Sequence, residues 1–260
     1  MACPSPIRLG ISRCLLGDSV RYDGGHKRNA YLADTMSREV EWVPICPEVE
    51  AGLGTPREPL QLIGPANRPT LVTITTRQDK TPALKKLSIR RLRELKSLHL
   101  CGYVLKARSP SCGISDVPLH DRQGRTINYG TGIFAATIRR HFSLIPLTDE
   151  GCLIDPPART LFFQRVFGYH RLQLLLRSPV TRQAVTLFHH AETPLLLKHS
   201  RKHYLMLTAL ISRADRHRPK DLARRYAAGF MDALAAHPSL HTSPRRRKNL
   251  HADHATKADQ

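Results

Sequence analysis

The 260-residue chain contains six cysteines, but no two of them form a Cys-x-x-Cys pair. This removes the commonest signature of a zinc ribbon, and six thiols spread over such a length are too sparse for a disulfide scaffold. No apolar run reaches 18 residues, so no segment reads as membrane-spanning. The first residues, Met-Ala-Cys-Pro-Ser-Pro-Ile-Arg, lack the basic start and apolar stretch of a secretory leader. The expectation is a cytoplasmic protein whose scattered thiols serve metal binding or chemistry. No internal repeat is visible.

Acidic residues are also scarce. There are 21 Asp and Glu against 41 Lys and Arg, giving a formal charge of +20. Residues 1–150 hold 22 basic and 14 acidic residues, whereas residues 151–260 hold 19 and 7 together with 10 of the 14 histidines. A field of this sign attracts polyanions, of which nucleic acid is the commonest large one. A merely soluble basic protein is the plainer alternative.

Short apolar runs at Ile7–Ser12, Glu39–Ile45, Leu71–Thr75 and Cys101–Leu105 read as strands, with a last short one at Ser143–Leu147. Lys80–Leu100 carries Leu84, Leu87, Leu92, Leu95 and Leu98 at helical spacing, and Gly132–His141 also reads as helix. Strands alternating with helices predict an α/β fold with a mainly parallel sheet and helices on both faces. From Pro156 a small basic all-α segment is expected, with Leu-rich helices at Thr160–Leu176, Pro194–Ser212 and Lys220–Ala236. The expected organisation is one domain over 1–150, a helical one over 156–238, and a disordered tail over 239–260.

Cys14, Cys46 and Cys112 each sit in a Gly-, Pro- or Ser-bearing loop that follows a predicted strand. In an open α/β sheet such loops gather at one edge, where ligands bind. Cys101, inside a strand, and Cys3 and Cys152, without companions, read as ordinary small apolar side chains. Thiolates select zinc, copper(I) or iron–sulfur clusters. Zinc more often shows paired Cys arms, and three separated thiolates suit a 4Fe–4S cluster with one iron lacking a protein ligand.

Four stretches around these cysteines occur in order: Gly10-Ile-Ser-Arg-Cys-Leu-Leu-Gly17, Val20-Arg-Tyr-Asp-Gly-Gly-His-Lys27, Val43-Pro-Ile-Cys-Pro-Glu-Val-Glu50 and Lys106-Ala-Arg-Ser-Pro-Ser-Cys-Gly113. Over about residues 6–150 the chain resembles the thiouracil desulfidase family. The resemblance implies a 4Fe–4S cluster on Cys14, Cys46 and Cys112, and removal of sulfur from a 4-thiouracil base. It also implies Glu48 and Ser109 as the catalytic pair. Glu48 would activate water as general base, while Ser109 would hydrogen-bond the base or relay a proton. A loop-capping carboxylate and a turn-shaping serine are their plainer readings. Asp23, Lys27 and Ser111 are the expected substrate contacts.

Phe163–Leu172, Phe188-His189-His190 and Leu195–Ser200 are similar to the DUF1722 domain, here shorter than usual. Such a fusion implies 4-thiouridine in tRNA as substrate, with the basic helices and the run Arg245–Lys248 touching RNA. His199 and His203, four residues apart, have a spacing that can bind zinc, although no metalloprotease-type acid accompanies them. A solvated or phosphate-facing surface is the simpler reading of this pair.

Overall fold

The computed structural model describes residues 6–177 and 179–236. Four parallel strands form the first sheet: β1 (Arg8–Ser12), β2 (Glu41–Ile45), β5 (Gly102–Leu105) and β8 (Leu147–Asp149), in the order β2-β1-β5-β8. The central strands β1 and β5 are almost entirely buried, as expected where a parallel sheet is covered on both faces. β2 lies at the edge and so tolerates Pro44, which cannot donate to a neighbour.

One face of this sheet is covered by α1 (Thr81–Ser97) and α2 (Ile133–His141), which bury Leu92, Leu95, Phe134 and Ile138 against Ile45, Tyr103 and Leu105. The other face is covered by the irregular segment containing Leu32 and Met36 and by α3 (Pro156–Arg177), through Phe162, Phe163 and Val166. α1 and α2 each start one residue after the predicted helix; α2 ends at His141 as predicted, and α1 three residues early, at Ser97.

A second sheet of order β4-β3-β6-β7 was only partly expected. It comprises β3 (Leu60–Ile63), β4 (Thr70–Thr73), β6 (Val117–His120) and β7 (Thr126–Gly130). The run Leu71–Thr75 therefore belongs to an antiparallel pair rather than to the parallel sheet. Leu62, Leu71, Val117 and Leu119 pack on Leu84 and Leu87 of α1. The predicted strand Ser143–Leu147 lies a few residues later, at Leu147–Asp149.

The helical segment continues through α4 (Arg182–His199), α5 (Arg201–Ile211) and α6 (Pro219–Ala235), around Leu172, Val185, Leu196, Leu207, Tyr226 and Phe230. The single helix expected over Pro194–Ser212 is two. Pro194 lies inside α4, and the break falls at Ser200, whose extended backbone (φ −161°, ψ 103°) starts α5 with its own side-chain cap. His199 and His203 consequently stand on either side of a helix break. His199 Nε2 meets Gln164 Oε1 at 2.9 Å, and His203 Nδ1 meets Ser200 Oγ at 2.8 Å. The expected tail over 239–260, with Arg245–Lys248, lies outside the described residues, as does Cys3.

Candidate active site

The chain leaves β1 for β2 on one side and later returns to β5 on the other, so the strand order reverses between β1 and β5. In open α/β sheets, ligands bind outside the carboxyl ends of the strands at such a point. A cavity of about 470 Å³ opens there, and Cys14, Cys46 and Cys112 all line it. Cys14 follows β1 in a single tight turn, and Cys46 follows β2 directly. Cys112 lies within the loop that joins β5 to β6.

That last loop is pressed onto the start of α2. The Ile133 and Phe134 N–H groups donate to Pro110 O and Ser111 O at 3.2 and 2.9 Å. Gly132 makes this approach possible, because a Cβ there would stand 2.5 Å from the Ser111 carbonyl. Arg108, at φ 59°, holds the left-handed backbone that glycine usually supplies, a local strain of the kind found at functional sites.

Burial raises the pKa of each thiol. Cys14 is pushed up to about 11, first by desolvation and then by the proximity of Cys46, against the opposing pull of Lys106 and Arg21. Cys46 is raised, and Cys112 well raised, again chiefly by desolvation. Cys46 and Cys14 both add to the effect at Cys112, so the three sulfurs feel one another. Any metal bound here would displace thiol protons. Among the described residues, no three Cys, His, Asp or Glu side chains converge closely enough to hold a single metal ion.

Glu48 and Ser109 line the same cavity. Arg57 donates twice to Glu48 Oε2, from Nε at 2.9 Å and from Nη2 at 2.6 Å, in a pair whose side chains are 7% and 12% exposed. Its Nη1 also donates to Val20 O and Gly54 O, at 3.0 and 2.8 Å. Ser109 Oγ accepts from the N–H groups of Ser111 and Cys112, at 3.2 and 3.1 Å. Ser109 therefore shapes the turn that presents Cys112 while also facing the cavity.

Lys27 is a lining residue, and its N–H donates to Cys14 O at 2.9 Å. Asp23 and Ser111 are not brought to the cavity wall. Asp23 instead pairs with Arg21, which does line it, and closes its own turn on the Gly25 N–H. Ser111 is fully buried behind the loop. The sequence reading missed the cations. Arg13, Arg21, Arg57, Lys106 and Arg108 join Lys27 on the wall, with Glu48 the single acid. Lys106 is itself held by Glu150, which also accepts from the Ala107 N–H at 2.7 Å.

Three soft donors, a carboxylate and a ring of cations on one cavity wall make this the candidate active site. The family model for 2-thiouracil desulfurase matches residues 9–150, and the chain belongs to that family. The uncharacterized protein YbbK of Bacillus subtilis (strain 168) is 29% identical over 135 residues, which make up 50% of this chain and 88% of the relative. The solved structure of a 4Fe–4S-dependent thiouracil desulfidase, TudS, is 30% identical and covers 56% of this chain and 93% of its own, with a TM-score of 0.47. No helix among the described residues is long and apolar enough to cross a membrane.

Proposed function

We propose that this chain is a desulfidase of thiolated pyrimidines that works with a 4Fe–4S cluster held by Cys14, Cys46 and Cys112. The observation that carries the reading is the meeting of these three buried cysteines with Glu48 in one cavity at the carboxyl ends of β1, β2 and β5. The donor set supports a cluster. Three thiols are soft ligands, of the kind that iron–sulfur clusters take. When bound, such a cluster with three protein ligands supplies an exposed, Lewis-acidic iron with affinity for sulfur.

The net reaction is replacement of C=S by C=O, consuming one water and releasing hydrogen sulfide, with no change of oxidation state. Glu48 accepts the proton of the attacking water through Oε1, the oxygen that Arg57 leaves uncommitted. Ser109 holds the Cys112 turn and donates its hydroxyl hydrogen towards the base. The cationic wall screens the sulfide that builds up. The family is described by the 2-thio base, whereas the motifs resemble enzymes of the 4-thio base. The charge of +20 favours 4-thiouridine in tRNA over the free base, because a neutral small molecule needs no such field.

The test is anaerobic cluster reconstitution followed by incubation with 2-thiouracil, 4-thiouracil and 4-thiouridine-containing tRNA. Loss of the thiocarbonyl absorbance and released sulfide are followed together. Stoichiometric sulfide that disappears in Cys112→Ala supports the reading, and the fastest substrate names the specificity. Glu48→Gln is expected to keep the brown cluster while losing at least about 100-fold in turnover, the usual scale for a general base. A stable cluster with no turnover of any substrate would instead favour a cluster-bearing RNA-binding or sensing protein.

A further inference from the structure

A second concavity, of about 650 Å³, lies between α1, α2 and the loop joining β3 to β4. Lys85 of α1, Arg68 of the loop, and Arg139, Arg140 and His141 of α2 line it, and no acidic residue does. Elsewhere Arg8, Arg13, Arg28, Arg57, Arg91, Arg125 and Arg171 each hold a carboxylate. Among the described residues, Arg68, Lys85, Arg139 and Arg140 form no ion pair. Four permanent cations thus converge on one groove without a counter-charge. Such an arrangement is unfavourable on its own, because like charges repel, and it gains from an anionic occupant.

The position of the groove identifies the occupant. α2 begins on Pro110, a wall residue of the cysteine cavity, and ends at the cations. At about 1.5 Å per residue, Arg139 and Arg140 lie roughly 10 Å along the helix from that wall. Both concavities therefore border α2, the first at its start and the second along its length to the cations. A ligand with regularly spaced negative charges and one reactive base spans them, whereas a small anion does not.

We propose that this groove is a docking track for the phosphate backbone of RNA, orienting a strand whose thiolated base enters the cysteine cavity. The proposal rests on the reading of that cavity as a desulfidase site for tRNA, and assigns the grip on RNA to the α/β part of the chain as well as to the basic helices. A groove of unpaired cations follows a backbone without reading its sequence. The exposed Ile89 in its wall adds an apolar contact for a ribose or base face.

The test uses the reconstituted full chain and the triple variant Lys85→Gln, Arg139→Gln and Arg140→Gln. The fold of the variant is checked by circular dichroism and a thermal melt. Fluorescence anisotropy with labelled tRNA is recorded from 50 to 300 mM salt. The expected result is a weakening of about tenfold or more at low salt, with the slope of log K against log salt reduced by about two to three, since each lost phosphate contact removes about 0.7 to 0.9. Turnover of free thiouracil is expected to stay at the wild-type rate, because none of the three residues lines the cysteine cavity. Unchanged tRNA affinity and slope overturn the proposal, whatever the catalytic outcome. Absence of turnover of every thiolated substrate by the wild-type protein would refute the desulfidase reading instead, and the binding data would still report on the groove. A weaker grip on polyglutamate with unchanged grip on tRNA would assign the groove to an acidic protein and also overturn the proposal.

Discussion

Arg57 fixes how Glu48 is presented, and this contact gives the sharpest expectation at the scale of single residues. Both guanidinium hydrogen bonds go to one carboxylate oxygen, and the same arginine ties down the carbonyls of Val20 and Gly54. Because the pair is nearly excluded from water, removing one partner strands a buried charge. Arg57→Ala is expected to destabilise the protein by about 3–5 kcal/mol, while Arg218→Ala, which breaks an exposed pair with Asp221, is expected to cost no more than about 1 kcal/mol. Urea unfolding of both variants checks this, and equal midpoints would contradict the account. The cysteines were legible because each sits in a Gly-, Pro- or Ser-bearing loop that follows an apolar run. Arg57 and Lys106 were not, since their partners lie 9 and 44 residues away in the chain. Ser111 sits in the motif but is buried, and Asp23 pairs with Arg21, which lines the cavity. A motif fixes the neighbourhood of a side chain, and the turn decides its direction.

Among the elements, α4, α5 and α6 are joined through one imidazole. His189 of α4 is buried, with Nδ1 at 3.2 Å from the Tyr226 hydroxyl of α6 and Nε2 at 3.1 Å from Thr208 Oγ1 of α5, and its ring stacks on Tyr204. Desolvation, with a smaller push from His190, holds its pKa below the ordinary 6.5. The unfolded chain therefore takes up the proton first as the pH falls. The contribution to stability is complete above pH 6.5, and is lost progressively between 6.5 and the lowered folded value. Thermal melts from pH 8 to 5 are expected to show this loss in the wild type and a flatter profile in His189→Gln. Identical profiles would remove His189 as the cause. At this scale the buried strands β1 and β5, and α1 with its leucines at regular spacing, could be read from the sequence, because burial imposes an apolar pattern. The strands β3, β6 and β7 could not. They are only four or five residues long, β6 contains Pro118, and β7 is mostly exposed, so their pairing is set by partners distant in sequence. The break at Ser200 was hidden because leucines continue on both sides of it, and Pro194 looked like a helix start although α4 carries on through it.

For the whole molecule, α3 determines whether the α/β part and the helical part behave as separate bodies. Its first half places Phe162, Phe163 and Val166 under the parallel sheet, beside Leu9, Ile11 and Val104. A Cβ on Gly102 of β5 would stand 2.8 Å from Val166, so helix and sheet are in close contact. The second half of α3 sends Leu172 into the core formed with α4, α5 and α6, where Gly168 lies against Leu234 and Phe230. A single continuous helix thus belongs to two cores, and neither can open without disturbing it. The family match covers residues 9–150, so the sheet face under α3 is covered by residues outside the matched span. The expected outcome is one calorimetric transition whose calorimetric and van't Hoff enthalpies agree. Phe163→Ala empties the sheet-side contact and is expected to cost about 3–5 kcal/mol, the range for deleting a buried aromatic ring. Because that loss weakens the coupling as well as the core, two resolved transitions should appear in the variant. Two transitions already present in the wild-type protein would mean that α3 does not couple the cores. The helical part would then be a separate module, leaving the cysteine cavity supported by the α/β part alone.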